Sequence, residues 1–282
     1  MNGKAKVHGA ISVVNAIATG KGSALGISLE TNAEVTLHSD DLIQVIINDD
    51  LSEDSTLAKE CFKIVRKKTS QTSGAKIVID SNIPIGKGLK SSSAAANAII
   101  LASLNAFDMK LPDLDVLNLS VEASKKSNVT ITGAFDDAAA SLLGGLVVTD
   151  NTNNELLSRN VIDKDLSILI HVPEQKNYTK NIVISDSHKF KSYVDSVFNI
   201  ALDGNYLDAM TLNGLLYSEI LKQSNDAAIF ALKNHALAAG LSGTGPSVAA
   251  ICRSGYESQI LESWKSLGGN VISAKINNDK GM

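Results

Sequence analysis

Residues Ser91 to Phe107 read SSSAAANAIILASLNAF, apolar on nearly every side. A helix of this kind has no face for water, so it must run through a core with the rest of the chain packed around it. Its triple serine gives good N-capping chemistry. The residues just before it, Pro84-Ile-Gly-Lys-Gly-Leu-Lys90, carry two glycines and two lysines. The chain is therefore bound to deliver a pliable, cationic loop to the positive end of a buried helix.

Phosphate binding needs a backbone that can approach an anion closely, amide donors aimed inward and a helix N-terminus behind them. Gly86 and Gly88 supply the pliable backbone, and Lys87 and Lys90 add positive charge. Ser91, Ser92 and Ser93 add hydroxyls able to bond phosphate or Mg²⁺. The stretch is neither a Walker loop nor G-x-G-x-x-G, because position 91 is serine. An ordinary strand–turn–helix link with a serine cap would use the same residue types.

Two more motifs bear on chemistry. Gly240-Leu-Ser-Gly-Thr-Gly-Pro-Ser247 is a tight, glycine-rich loop ahead of a strand and a candidate second wall of the same cleft. Asp136-Asp137 opens a short helix of small residues closed by Gly144-Gly145. Adjacent carboxylates there serve as caps favoured by the helix dipole, or place one carboxylate to take a proton from a substrate hydroxyl. Glu122, near the end of the preceding helix, is a candidate Mg²⁺ ligand.

Length and composition set the frame. With 282 residues the chain is comfortable as two lobes around a cleft. Aromatics are only 4%, so the core must be built from Ala, Val, Ile and Leu. The net charge of −4 argues against a nucleic-acid partner, which would call for a basic face. Cys61 and Cys252 carry no metal-ligand or disulfide spacing and read as buried free thiols. No apolar run is long enough to span a membrane, and the N-terminus lacks a signal-peptide pattern, so a soluble, cytoplasmic protein is expected.

The first half reads as strands at 24–29, 33–37, 42–48 and 76–80, with a helix at 55–68. Helices follow at 91–107 and 113–126, and a strand at 146–149. Residues 150 to 160 are polar and turn-rich, which sets the expected lobes at 1–155 and 156–282. The second half reads as strands at 166–172, 247–252 and 270–276, with helices at 189–202, 206–221, 226–238 and 257–267. The pattern suggests an α+β fold.

These motifs in this order resemble the GHMP kinases, the superfamily of galactokinase, homoserine kinase and mevalonate kinase. The family's phosphate loop, roughly P-x-x-x-G-L-G-S-S-A-A, is similar to Pro84-Ile-Gly-Lys-Gly-Leu-Lys-Ser-Ser-Ser-Ala94, with Lys90 where glycine is usual. Leu241 to Ser247 resembles its late glycine motif. Asp136 to Gly145 resembles its D-N-x-A-x-x-x-x-G-G region, with Asp137 in place of asparagine. Within the superfamily, G-L-K-S-S-S-A-A-A-N-A, the early Asn15-Ala-Ile-Ala-Thr-Gly-Lys-Gly22 and G-A-F-D-D-A look like the archaeal type of shikimate kinase.

The resemblance implies a two-lobed fold. An N-terminal lobe like domain 2 of ribosomal protein S5 packs on a ferredoxin-like C-terminal lobe, with ATP between them. It also implies a reaction, transfer of phosphate from ATP to shikimate with Mg²⁺. ATP would be held along Gly86, Lys87, Gly88, Leu89, Lys90, Ser91, Ser92, Ser93, Ala94, Ala95 and Ala96. Asp136 takes the place of the catalytic aspartate, and Gly243, Thr244 and Gly245 close over the substrate and phosphate. Ser91 or Ser92 with Glu122 would hold the metal, and Lys4 or Lys6 would be the lysine that neutralises charge beside the aspartate. Lys21, Arg159 and Lys180 are the candidates for the shikimate carboxylate.

Overall fold

The structure, a computed structural model, describes residues 1–130, 133–174 and 187–282. Its first sheet is built on β1 (Asn2–Val14) and β2 (Lys21–His38), a long antiparallel pair. The other edge of β2 is shared end to end by β4 (Gly74–Ser81) and β5 (Leu146–Asp150). β3 (Ile43–Ile47) runs parallel to β4, and β6 (Glu155–Asn160) is antiparallel to β5. The helices α1 (Thr56–Thr69), α2 (Ser91–Ala106), α3 (Asp113–Lys126) and α4 (Phe135–Leu143) belong to this lobe.

The α2 helix runs through the core as its composition demands, and Ala94, Ala96, Ala98, Ile99, Ile100 and Ala102 are fully buried. One polar residue among them, Asn97, is also fully buried and so must find partners. Its amide donates to the Ala138 carbonyl at 2.9 Å and its oxygen accepts from Ser120 Oγ at 2.7 Å. That single side chain fixes α3 and α4 against α2, and it thereby fixes the helix that carries Asp136.

The second sheet contains β7 (Leu166–Val172), β8 (Ala236–Leu241), β9 (Val248–Arg253) and β10 (Asn270–Lys275). Its spatial order is β10-β7-β9-β8, all antiparallel. With α5 (Lys191–Leu202), α6 (Tyr206–Ile220) and α7 (Asp226–Lys233) between β7 and β8, and α8 (Glu257–Trp264) before β10, this is a ferredoxin-like lobe. Both cysteines are free and buried, and no helix among the described residues is long and apolar enough to cross a membrane.

Three readings of the sequence need correction. The segments 24–29 and 33–37 form one strand: Glu30-Thr31-Asn32 looks like a turn, yet Thr31 is buried and its hydroxyl meets Ser81 Oγ at 2.7 Å. The helix expected to reach 238 stops at Lys233. His235 turns left-handed (φ 70°), and the alanine-rich 236–241 pairs with β9, so tertiary pairing overrides helix propensity. Residues 155–160 form an exposed strand at the edge of the first sheet, where no buried face marks them in the sequence.

The C-terminal residues return to the first lobe. Asn278 Nδ2 donates to the Ile162 carbonyl at 2.8 Å, and the Ile162 amide donates to Asn278 Oδ1 at 3.0 Å. Asn278→Ala leaves both backbone groups buried without partners. At about 1–3 kcal/mol per orphaned group, unfolding in urea is expected to show a loss of about 3 kcal/mol. A loss below about 0.5 kcal/mol would mean that water reaches both groups.

Candidate active site

The loop after β4, the end of β1 and the loop after β8 are stitched together by short hydrogen bonds. Ser242 Oγ donates to the Gly88 carbonyl at 2.8 Å and accepts from the Ser12 amide at 3.1 Å. The Gly243 amide donates to Ser12 Oγ at 2.9 Å, and Asn15 Nδ2 donates to the Gly243 carbonyl at 2.9 Å. Gly88 has φ 79°, and a Cβ there would lie 2.1 Å from the Ser242 carbonyl oxygen. Only glycine allows both the backbone turn and the approach.

Behind this seam lies a cavity of about 710 Å³. One side is apolar, formed by Ile47, Leu57, Ile79, Ile85 and Ile99. The polar side is formed by the start of α2, Asp136, Asp137, Gly243 and Thr244. Gly86, Gly88, Lys90, Ser91, Ser92, Ser93 and Ala95 line it. Leu89, Ala94 and Ala96 are instead packed in the core beneath. Lys87 is also turned away: its ammonium donates to the carbonyls of Pro173 and Glu174. Among the described residues no side-chain hydrogen bond caps the first turn of α2, so its opening amides and dipole could receive an anion.

Asp136 sits in the first turn of α4 and is 4% exposed. Asn151 holds it from two directions. Asn151 Nδ2 donates to Asp136 Oδ1 at 2.7 Å, and the Asp136 amide donates to Asn151 Oδ1 at 3.1 Å. The carboxylate lies so close to β2 that a Cβ on Gly22 would meet Asp136 Oδ2 at 2.5 Å. Burial pushes the acid up to about 7; the neighbouring Asp137 adds to the rise, and the Lys90 ammonium opposes it. A carboxyl group tuned in this way suits proton transfer near neutral pH.

The other expected residues lie elsewhere. Glu122 is on the exposed face of α3, paired with Lys126 at 2.7 Å, and does not line the cavity. Ser124, on another face of α3, lines the cavity instead, together with Ser127 and Asn128 just past the end of the helix. Lys4 and Lys6 pair with Glu34 and Glu30 on the exposed far part of β1. Lys21 lies over the Phe198 ring, 5.6 Å from its centroid. Arg159 spends its guanidinium on the carbonyls of Leu143, Gly144 and Asn278. Gly245 is behind the loop rather than on the cavity wall, and Lys180 lies outside the described residues.

Ser12, Asn15, Gly22 and Asn151 build the candidate site and are missed by residue-level reading. Asn15 and Gly22 bound the early Asn15–Gly22 motif, so a signal for them was present. Asn151 stands in a run of polar turn residues and gave none.

Comparison with known proteins identifies the family. The GHMP kinases N terminal domain matches residues 56–145, and the GHMP kinases C terminal domain matches residues 205–270. The chain is 42% identical to the shikimate kinase of Methanothrix thermoacetophila, over 99% of this chain and 95% of that one. It is 41% identical to the shikimate kinase of Pyrococcus furiosus, over 97% and 99%. Among solved structures, a homoserine kinase from Cytophaga hutchinsonii superposes with a TM-score of 0.79, covering 100% of this chain and 96% of that one at 16% identity. The Methanococcus jannaschii mevalonate kinase gives 0.75, covering 98% and 97% at 17% identity. The two matched family domains and relatives matched end to end, together with a buried carboxylate that shares one cavity with the start of α2, make this chain a member of the GHMP kinase family.

Proposed function

We propose that the chain is a shikimate kinase, transferring the γ-phosphate of ATP to the 3-hydroxyl of shikimate to give 3-phosphoshikimate on the route to chorismate and the aromatic amino acids. The observation that carries the reading is Asp136: a carboxyl group locked by Asn151 and Gly22, sharing one cavity with the open end of α2. End-to-end similarity to shikimate kinases supports the choice of acceptor.

In the proposed reaction the 3-hydroxyl oxygen forms a bond to the γ-phosphorus. The bond from that phosphorus to the β–γ bridging oxygen breaks, and ADP leaves with its electron pair. The hydroxyl proton goes to Asp136. The amides at the start of α2 receive the phosphate oxygens, with Gly86 and Gly88 allowing close approach. Gly243 and Thr244 close the cavity from the second lobe.

Mg²⁺ is a hard cation that takes oxygen ligands and neutralises charge on the β- and γ-phosphates. The hydroxyls of Ser91 and Ser92 on the cavity wall fit it as protein ligands. Among the described residues no cluster of three acidic, histidine or cysteine side chains could hold a metal, which suits an ion that arrives with the nucleotide. The lobes proposed at 1–155 and 156–282 are better divided after Asn160, because β6 pairs with β5. A cytoplasmic location is part of the same proposal.

Coupled ADP release with shikimate, homoserine and mevalonate side by side tests the acceptor. Turnover with shikimate at least a hundredfold above the others is expected. Preference for homoserine or mevalonate would move the chain to another branch of the family. ATP binding without turnover of any acceptor would make it a nucleotide-binding regulator.

Asp136→Asn should lower turnover by about 10²–10⁴-fold with ATP affinity nearly unchanged. The same variant has a pH signature. A carboxyl raised by the fold stabilises the protein fully only below its unfolded value, and that stability is lost as pH rises through the folded value. Asparagine stays neutral throughout. The variant should therefore melt roughly 5 °C above the parent at pH 8 and close to it at pH 4.5. Equal melting at both would remove the buried charge from the account.

A further inference from the structure

Lys90 is the one cation among the described residues lining the cavity. It occupies the cap position of α2 with φ 65°, a left-handed conformation that side chains other than glycine, asparagine and aspartate rarely adopt. Its ammonium lies 2.8 Å from Asp137 Oδ1, and the two side chains are only 7% and 16% exposed. The same ammonium lies 3.0 Å from where a Cβ on Gly243 would stand, so it sits under the loop that closes the cavity. The backbone is held in an uncommon shape, and its side chain is committed inward to an acid on another helix.

Asp137 is the residue beside Asp136, so Lys90 delivers its charge to the heart of the site. Among the described residues, the surroundings of Asp136 supply no other cation. Asp137 shares its helix, Asn151 comes from the turn after β5, and Tyr217 comes from α6. From β2 it meets Gly22, whose neighbour Lys21 is turned onto Phe198. The lysines once expected to serve it, Lys4 and Lys6, stand six or more residues before Ser12 on β1. At about 3.3 Å per residue that is roughly 20 Å or more away.

We infer that Lys90 and Asp137 act as one electrostatic unit, in which Lys90 is the positioning residue that cancels the charge of Asp137 beside Asp136. Lys90 then acts mainly on the reacting end, not as a ligand that sets ATP affinity. Lys90 and Asp137, the two departures from the motifs this chain resembles, are thereby tied to each other. Either change alone is costly: Asp137 without Lys90 leaves two carboxylates side by side and out of water, and Lys90 without Asp137 loses its anchor.

The inference rests on Asp136 being the proton acceptor, and a four-protein cycle tests the two separately. The proteins are the parent, Lys90→Gly, Asp137→Asn and the double variant, each checked for a native melting transition. Lys90→Gly is expected to lower kcat at least tenfold while the KM for ATP stays within about twofold. The double variant, a neutral pair, is expected to recover most of that loss. Lys90→Asn, which tolerates the left-handed backbone, should repeat the kcat loss and stands in if the glycine variant does not fold. A tenfold rise in the ATP KM with kcat unchanged would make Lys90 a phosphate ligand and overturn the inference. So would losses that simply multiply in the double variant, because independent residues do not rescue each other. Failure of the underlying reading looks different: Asp136→Asn would then turn over normally, whatever the cycle shows.

Discussion

Ser242 is the node on which the site depends. One hydroxyl joins the Gly88 carbonyl and the Ser12 amide, and the adjacent Gly243 amide returns a bond to Ser12 Oγ. Three segments that lie far apart in the chain are thereby fixed at one point. The loop before α2 belongs to the first lobe and the loop before β9 to the second. Without this seam the helix start and its lid would be independent surfaces. With it, they enclose a common volume, and Asn15 reinforces the closure from the end of β1.

A second constraint works from below. Asn97, buried in α2, bonds to both α3 and α4, so the helix bearing Asp136 cannot slide relative to the helix whose open end faces the cavity. Gly22 and Asn151 then set the carboxylate within that frame. The raised pKa follows from the same packing: removing Asp136 from water disfavours its charged form, and Asp137 makes this worse. The stability lost to a buried charge is thus tied to the group proposed to take the substrate proton, and functional sites are where strained electrostatics in a fold are expected to concentrate.

Much of this was legible in the residues. The all-apolar α2 could be nothing but a core helix, and the glycine–serine loop ahead of it named the kind of ligand it could face. The four strands and intervening helices of the second lobe were visible except for β8, where an alanine-rich segment carries helix propensity and only pairing with β9 makes it a strand. Long-range geometry was less legible. Glu122 seemed well placed by spacing alone, but its direction depends on which face of α3 meets α2. Lys87 and Lys90 looked equivalent in the sequence, yet one holds the carbonyls of Pro173 and Glu174 and the other reaches Asp137. Nothing in a run of turn residues distinguishes Asn151 from its neighbours until β5 brings it beside Asp136.

The central claim is that the start of α2 and the loop at Gly243 form one nucleotide-phosphate site across the seam. Amide chemical shifts in the ¹⁵N-labelled protein, followed as a non-hydrolysable β,γ-methylene ATP analogue is added with Mg²⁺, test it directly. The account predicts that Ser91, Ser92 and Ser93 shift together with Gly243 and Thr244 along one saturation curve. Saturable binding that leaves either group of amides unmoved would contradict it.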